Sequence, residues 1–285
     1  MDKISAVHIN ELVPFPENPF KMRDGIEMEM LTDSVKEFGI ITPLVVRPIE
    51  KGSGYEIISG HRRWQAAKEA GLERVPAFVR NMSKDEAVVA LVDCNLQREY
   101  LLPSEKGFAY KMKLEAMKRQ GFRTDLTSAQ VGQKLTSVER LAEQSSDSRV
   151  QIQRYIRLTN LEKTLLDLVD EGRIALTPAV ELSYLLPEEQ RNLIQTIESE
   201  DCTPSLSQSQ KMRRLSEQGC LDMDTILAIL SEVKGNQKEY LKLPTEKYSR
   251  YLSRFHTPKQ KEDFILKALD YYSRYLERQK NRDSR

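Results

Sequence analysis

Apolar and polar positions follow two different patterns along the chain. Within residues 1–100, short runs rich in β-branched residues are bounded by Gly and Pro, which is the pattern of strands. Between them lie stretches with apolar residues three or four positions apart, and these predict amphipathic helices that end at glycines. The predicted elements are strands at 44–46, 55–58 and 75–79, helices at 29–38 and 62–70, and a hairpin turn at 51–54.

From about residue 84 onward the helical pattern is almost continuous, and residues 138–158 are its most informative part. A first helix is followed by a four-residue turn at 145–148, in which Asp147 or Ser148 suits the N-cap of a second helix. A small Ala in the first helix lets the second cross close to it, so the segment predicts a helix-turn-helix. The inward-facing residues are Leu141 and Ala142 in the first helix and Ile152, Tyr155 and Ile156 in the second.

The last part of the chain gives weaker signals. A polar, Ser-rich stretch at 201–210 predicts a linker or loop, and residues 263–278 carry apolar positions with the four-three spacing of a coiled-coil seam. Since this seam is shorter than three heptads, two interpretations stay open: it closes a dimer with help from preceding helices, or it caps a small domain. The seam residues are Ile265, Leu269, Tyr272 and Leu276, and a basic tail follows them.

Composition narrows the class of protein. The 285 residues suffice for two or three domains, and no apolar run is long enough to predict a membrane span. The three cysteines lack paired spacing, which argues against a disulfide framework or a zinc site and fits a reducing cytoplasm. The net charge is only +1, but residues 101–160 carry 11 Lys/Arg against 6 Asp/Glu. Such a local basic segment is compatible with nucleic-acid binding at a defined face.

A strand-to-helix turn at residues 57–67 carries the first candidate chemistry. Gly60 permits a sharp turn and a close backbone approach, and the helix after it begins with His61, Arg62 and Arg63. A helix N-terminus with two arginines suits phosphate. From the residues alone, an anion site and a surface helix with ordinary ion pairs are equally good interpretations.

Four sequence blocks within residues 1–110 resemble the ParB family in order and spacing. SGHRRWQAAKEAGLERVPAFVR resembles the family's GERR, RAA and VPAIVR motifs; ENPFKMRD, GIITPLVVR and DCNLQRE resemble its NPxQPR, GIxQPLxVR and ENLQRE blocks. The resemblance implies an α+β ParB/sulfiredoxin-like domain, then an all-α helix-turn-helix domain and a small helical C-terminal region. We expect these domains at residues 1–100, 101–200 and 201–285. The sulfiredoxin motif has a reactive Cys in the turn and this chain has none, so a redox role is not expected.

The resemblance also implies a site for CTP with Mg²⁺. Gly60, His61, Arg62 and Arg63 are expected to hold the phosphates, and Thr42 to border the nucleotide. Asn95 is expected near the metal and triphosphate, with Arg98 following it on the same helix.

Two positions depart from the family pattern. His61 and Cys94 stand where the family has Glu, and acidic residues are the natural Mg²⁺ ligands and water-orienting groups. A thiol does not suit this hard ion. Asp93 is adjacent but points about 100° away around a helix. We therefore expect nucleotide binding more than hydrolysis. Two enzymatic alternatives stay open, a weak CTPase and a small-molecule kinase.

The second helix of the predicted helix-turn-helix carries the candidate DNA contacts. Arg reads guanine bidentately, Gln reads adenine, and Ser and Arg also bind phosphate. The block resembles the central ParB domain, although Ser145 and Ser146 replace the usual Leu and Gly of the turn. A helical hairpin with a merely solvated basic face is the alternative. The predicted DNA-binding residues are Ser148, Arg149, Gln151, Gln153, Arg154 and Arg157.

The function implied by the resemblance is chromosome, plasmid or mobile-element partition. A homodimer would bind a specific double-stranded DNA site, and CTP would switch it to a clamp. A ParA-type ATPase is the implied partner, the location is cytoplasmic and nucleoid-associated, and no membrane association is expected. The tail resembles ParB-like proteins of Gram-positive mobile elements. The alternative is a transcriptional or replication regulator with the same fold but no nucleotide switch.

Overall fold

The computed structural model describes residues 4–22, 25–50, 52–98, 100–125, 137–232, 251–252, 254 and 257–283. The chain divides into two compact units at residues 1–232 and 233–285. The strands of the first unit are β1 (Ile4–His8), β2 (Leu12–Pro14), β3 (Leu44–Pro48), β4 (Tyr55–Ser59) and β5 (Arg74–Val79). Its helices are α1 (Ile26–Phe38), α2 (His61–Glu69), α3 (Lys84–Leu96), α4 (Pro103–Asp125), α5 (Ser137–Glu143), α6 (Arg149–Leu158), α7 (Lys163–Asp170), α8 (Leu176–Leu182), α9 (Pro187–Glu200), α10 (Leu206–Glu217) and α11 (Met223–Ser231).

The N-terminal half is built on a mixed five-stranded sheet with the order β1-β5-β3-β4-β2. The predicted hairpin is confirmed, because β3 and β4 pair antiparallel; β5 runs parallel to β3, and β2 parallel to β4. Successive side chains of a strand point to opposite faces, so Ile57 packs with α1 and α2 while Ile58 packs with α3. Both faces of the sheet are therefore covered by helices.

The residues at three helix ends explain why those helices begin or end there. Gly39 adopts a left-handed φ of 68° after α1, and its N–H donates to Val35 O. Ser83 caps α3 in a reciprocal pair with Glu86. Pro103 begins α4, where a missing N–H costs nothing.

Helix α4 connects the sheet to the helical half. Its Ala116 belongs to the apolar core that contains Ile58 and Leu91, whereas its Tyr110 packs with Leu141 and Ile152 of α5 and α6. The same helix thus touches both α3 and the helix-turn-helix.

The linker predicted at 201–210 is wrong from Leu206 onward. Ser205 accepts a hydrogen bond from Gln208 N and thereby caps α10, so the Ser-rich composition reflects a helix start. Met212 of α10 and Ile226 of α11 lie in the same hydrophobic core as Leu193 of α9. The boundary expected between residues 200 and 201 therefore runs through one core, and the compact unit continues to Glu232.

The second unit contains a long helix, α12 (Pro258–Asp283). All four predicted seam residues lie on it; Ile265 is half-buried, and the other three are exposed. The side chains of the basic tail, from residue 277 on, lie outside the described residues.

Candidate functional site

The turn from β4 into α2 presents backbone donors that have no acceptor within the helix. Gly60 has a left-handed φ of 101°, and the first hydrogen bond within the helix runs from Trp64 N to Gly60 O at 2.9 Å. The amides of His61, Arg62 and Arg63 precede that bond, so the helix offers them no acceptor. The helix dipole places partial positive charge at the same end. This end of α2 is suited to bind an anion.

A cavity of about 540 Å³ opens at this helix end. It lies between the first turn of α2, the C-terminal end of α3 and one side of α1. The structure brings six of the seven predicted nucleotide-binding residues to its wall, and adds five that were not predicted. The predicted six are Gly60, His61, Arg62, Arg63, Asn95 and Arg98, and the additional five are Glu27, Met30, Leu31, Ser59 and Cys94.

Thr42, the seventh predicted residue, is not among the residues that line the cavity but contacts Arg63 through its backbone. Its carbonyl oxygen accepts a hydrogen bond from Arg63, and the carbonyl of Pro43 accepts another at 3.1 Å. Burial lowers the pKa of Arg63 from its usual value, and the neighbouring Cys94 opposes that shift. Arg63 is therefore fixed at the cavity wall.

Gly60 is required at the turn for two reasons. An added Cβ would lie 3.1 Å from Nη2 of Arg63 and 3.1 Å from Cγ of Leu44, and the left-handed φ strains any other residue. A side chain here would displace the guanidinium that the turn holds.

Glu27 is a cavity residue that sequence reasoning missed. It lies in the first turn of α1 and accepts a hydrogen bond from Arg62 at 3.1 Å. Helix α1 packs against α2. No local signal marks Glu27, because only this packing brings it to the cavity.

His61 is buried, with 6% of its surface exposed. Burial, followed by the charge of Arg98, lowers its pKa from 6.5 to about 4, so the ring is neutral at pH 7. Within the described part of the chain its Nε2 has no hydrogen-bond partner. Arg98 itself lies over the ring of Phe20 at 5.8 Å.

The possible Mg²⁺ ligands of the cavity include the residues at the C-terminal end of α3. The amide of Asn95 donates to Leu91 O at 2.7 Å, and Cys94 presents a thiol. Asp93 pairs with the buried Lys113 of α4 at 2.5 Å, which confirms that it points away from the cavity. Among the described residues no group of three or more His, Cys, Asp or Glu side chains could hold a metal ion. Of the residues at this end of α3, Asn95 therefore lines the cavity with an amide oxygen, whereas neither Cys94 nor Asp93 offers a carboxylate to it.

The second candidate site is the helix-turn-helix of α5 and α6. Ser148 caps α6 by accepting a hydrogen bond from Gln151 N, as predicted. Leu141 and Ile152 are fully buried between the helices. Asp147 in the turn accepts hydrogen bonds from the Tyr110 hydroxyl at 2.7 Å and from Lys106 at 3.2 Å, so the turn is anchored to α4. Burial and this carboxylate raise the pKa of Tyr110.

The six predicted DNA-binding residues divide into two groups. Ser148, Arg149, Gln153 and Arg154 are exposed, and Arg149 pairs with Glu139 of α5 at 2.8 Å. Gln151 and Arg157 are partly buried. Arg157 donates to Ser183 Oγ and to Ser183 O, each at 3.2 Å, and so contacts the segment after α8.

Comparison with known proteins identifies the two parts of the first unit. Residues 1–96 match the ParB N-terminal domain, and residues 123–217 match the ParB HTH domain. The chain belongs to the ParB family. Its fold is the expected one: an α+β ParB N-terminal domain followed by a helical HTH domain.

Two curated relatives show the extent of this similarity. Stage 0 sporulation protein J of Bacillus subtilis is 36% identical over 61% of this chain and 55% of its own length. The chromosome-partitioning protein Spo0J of Thermus thermophilus is 34% identical over 62% of this chain and 58% of its own length. The matching part of the chain thus spans little more than half of these relatives.

Solved structures of C-terminally truncated ParB from Caulobacter crescentus are also similar. The form complexed to the centromeric parS site covers 75% of this chain and 99% of its own, with 22% identity and a TM-score of 0.43. The form complexed with CTP-γ-S covers 68% and 98%, with 24% identity and a TM-score of 0.32. In the described part of this chain, no helix is both long and apolar enough to cross a membrane.

Proposed function

We propose that this chain is a DNA-binding partition protein of the ParB type that binds CTP in the cavity at the N-terminus of α2. The proposal rests on the way the two sites are connected. The cavity suited to phosphate and the helix-turn-helix with its basic face are joined by packed side chains of α3 and α4. Membership of the ParB family supports both halves of the proposal.

The cavity has the chemistry that a nucleoside triphosphate requires. Three arginines, Arg62, Arg63 and Arg98, line it together with the free amides of the first turn of α2. Guanidinium groups bind phosphate oxygens bidentately, and the amides supply fixed donors. The volume lies within the range of about 300–1,000 Å³ that is usual for small-molecule sites. We propose that the phosphates lie on Gly60 to Arg63, with Asn95 and Arg98 beside them.

Asn95 is the residue of α3 that we propose to lie beside a nucleotide-bound Mg²⁺ ion. Cys94 stands where an acidic ligand is expected, and Asp93 is paired with Lys113. A Mg²⁺ ion bound to the nucleotide would neutralise phosphate charge and keep several water ligands. Because Cys94 and Asp93 offer no carboxylate to the cavity, we propose that the cavity binds the nucleotide but does not hydrolyse it efficiently.

We propose that the exposed face of α6 binds DNA. Arg149, Gln153 and Arg154 are exposed on one helix, and Ser148 lies at its N-terminus. These side chains can contact base edges in the major groove or the flanking phosphates. A specific double-stranded site is the proposed ligand.

A switch requires CTP to bind one arrangement of the chain more tightly than another. We propose that the clamped form of a homodimer is the tighter one, and that a ParA-type ATPase acts on the DNA-bound assembly at the nucleoid. The alternative function is that of a regulator that binds DNA without a nucleotide switch. His61 and Cys94 favour it, because both replace acidic residues at the cavity.

Nucleotide binding is tested by titrating the full chain with radiolabelled CTP and with ATP. CTP is expected to bind in preference to ATP, and Arg63→Ala is expected to abolish binding, because it removes a fixed guanidinium from the phosphate position. Arg173→Ala is the matched control, since Arg173 pairs with Asp201 on another surface. An unfilled cavity at millimolar CTP would contradict the nucleotide half of the proposal.

DNA binding is tested by capturing fragmented genomic DNA on the full chain, with and without CTP. Arg154→Ala is expected to weaken specific binding by about 1–3 kcal/mol while CTP binding stays unchanged. A redistribution of captured fragments when CTP is present would support the switch. Capture that is identical with and without CTP selects the regulator instead.

A further inference from the structure

The ring of Tyr184 lies between two arginines from different helices. The guanidinium carbons of Arg157 in α6 and Arg213 in α10 are each 3.7 Å from its centroid. At that distance a guanidinium must lie almost directly over the ring, and two groups cannot share one face. The two cations therefore stack on opposite faces of Tyr184.

Each arginine in this stack is also held by hydrogen bonds. Arg157 donates through Nε and Nη2 to the hydroxyl and the carbonyl of Ser183, and the Ser183 hydroxyl in turn donates to Val180 O at 2.6 Å. Arg213 donates to Glu181 at 3.0 Å and to Glu217 at 2.9 Å. Both guanidinium planes are thus fixed against the ring.

The stack joins the DNA-facing helix to the body of the helical domain. Arg157 lies in the last turn of α6, whereas Tyr184 follows α8 and Arg213 belongs to α10. Leu158, the next residue of α6, is buried in the core that includes Leu182 and Met212. The orientation of α6 is therefore coupled to α8 and α10 at one end, and to α4 through Asp147 at the other.

We infer that Arg157 and Tyr184 are positioning residues, which set the angle at which α6 meets DNA and do not contact DNA themselves. The inference rests on the proposed DNA-binding role of α6. It removes Arg157 from the predicted contact residues and leaves Arg149 and Arg154 as the exposed arginines of α6. Removing the ring of Tyr184 would abolish the stack, whereas removing only its hydroxyl would leave the stack in place.

The first experiment measures binding of the full chain to two fluorescent duplexes, one with a sequence enriched in the genomic capture and one with that sequence scrambled, over a range of salt concentrations. Tyr184→Ala is expected to weaken binding about tenfold, and Tyr184→Phe is expected to bind like the wild type. Arg157→Met is expected to weaken binding with little change in salt dependence. Arg154→Met, the matched control on the same helix, is expected to lower the slope of log K against log salt by about one unit.

The second experiment measures hydrogen exchange of the α6 amides in the free protein. Exchange is expected to quicken in Tyr184→Ala and to stay unchanged in Tyr184→Phe. The inference is overturned if Tyr184→Ala leaves both affinity and exchange unchanged, or if Arg157→Met lowers the salt slope as Arg154→Met does. If the wild type binds neither duplex at low salt, the proposed function fails, and the exchange measurement alone decides whether the stack positions α6.

Discussion

A buried neutral histidine gives this chain a pH dependence that can be measured. The pKa of His61 is about 4 in the folded state, compared with its ordinary value of 6.5, because burial and the charge of Arg98 disfavour the imidazolium form. Between these values the unfolded chain binds more protons, so the free energy of unfolding falls as the pH falls from 6.5 to 4. The expected loss from this group is up to about 3 kcal/mol.

The measurement is urea unfolding of the wild type and of His61→Gln at several pH values between 7.5 and 4.5. Carboxylates contribute to both proteins, so the difference between their pH slopes isolates the histidine. The wild type is expected to lose stability more steeply below pH 6.5. Parallel slopes would mean that the ring is already charged, or solvated, in the folded protein.

For individual residues, the sequence predicted which side chains lie at the cavity better than it predicted the contacts that each side chain makes. Spacing along α2 placed Gly60 to Arg63 together, because helix geometry fixes neighbours within a few residues, whereas Asn95 was expected beside them only from the resemblance to the ParB family. Glu27 was missed since it reaches the cavity only through packing of α1 on α2. Arg157 was expected to face DNA, but the structure orients it through Ser183 and Tyr184, more than twenty positions away.

The crossing of α4 and α6 depends on one glycine within a helix. A Cβ added at Gly107 would lie 2.6 Å from the backbone oxygen of Tyr155, and a backbone atom cannot rotate away. Gly107→Ala is expected to destabilise the protein by about 1–3 kcal/mol, although Ala is the better helix former by about 1 kcal/mol. It is also expected to weaken DNA binding, since α6 must move.

Chemical unfolding and duplex titration of Gly107→Ala check both effects. Lys118→Ala, at an exposed position of the same helix, serves as control and is expected to change little. A gain in stability for Gly107→Ala would show that helix propensity outweighs the close approach, and that the two helices can separate freely.

Elements with distinctive local composition were predicted well, whereas a very short strand and a polar helix start were not. The hairpin of β3 and β4 and the turn between α5 and α6 followed from local composition. The strand at Leu12–Pro14 was not predicted, because three residues carry no period and its pairing with β4 is set by the fold. The Ser-rich run near 205 was taken for a linker, since a helix N-cap and a flexible segment share the same polar residues.

For the whole molecule, we expect the division at Glu232 to separate folding from self-association. All the described hydrophobic cores lie before that residue, whereas three of the four seam residues of α12 are exposed. Exposed apolar positions at coiled-coil spacing favour pairing with a second copy. Residues 1–232 are thus expected to fold alone, and α12 to supply the contact between copies.

A fragment ending at Glu232 is expected to unfold within a few degrees of the full chain and to sediment as a monomer, while the full chain sediments as a dimer. Leu269→Glu in the full chain is expected to give monomers, because it places a charge in the seam. Leu266→Glu makes the same change about 60° from Leu269 and about 90° from the middle of the seam, and it is expected to leave the dimer intact. If the fragment and both variants remain dimeric, the contact lies in the first unit, and the partition clamp would have to close without help from α12.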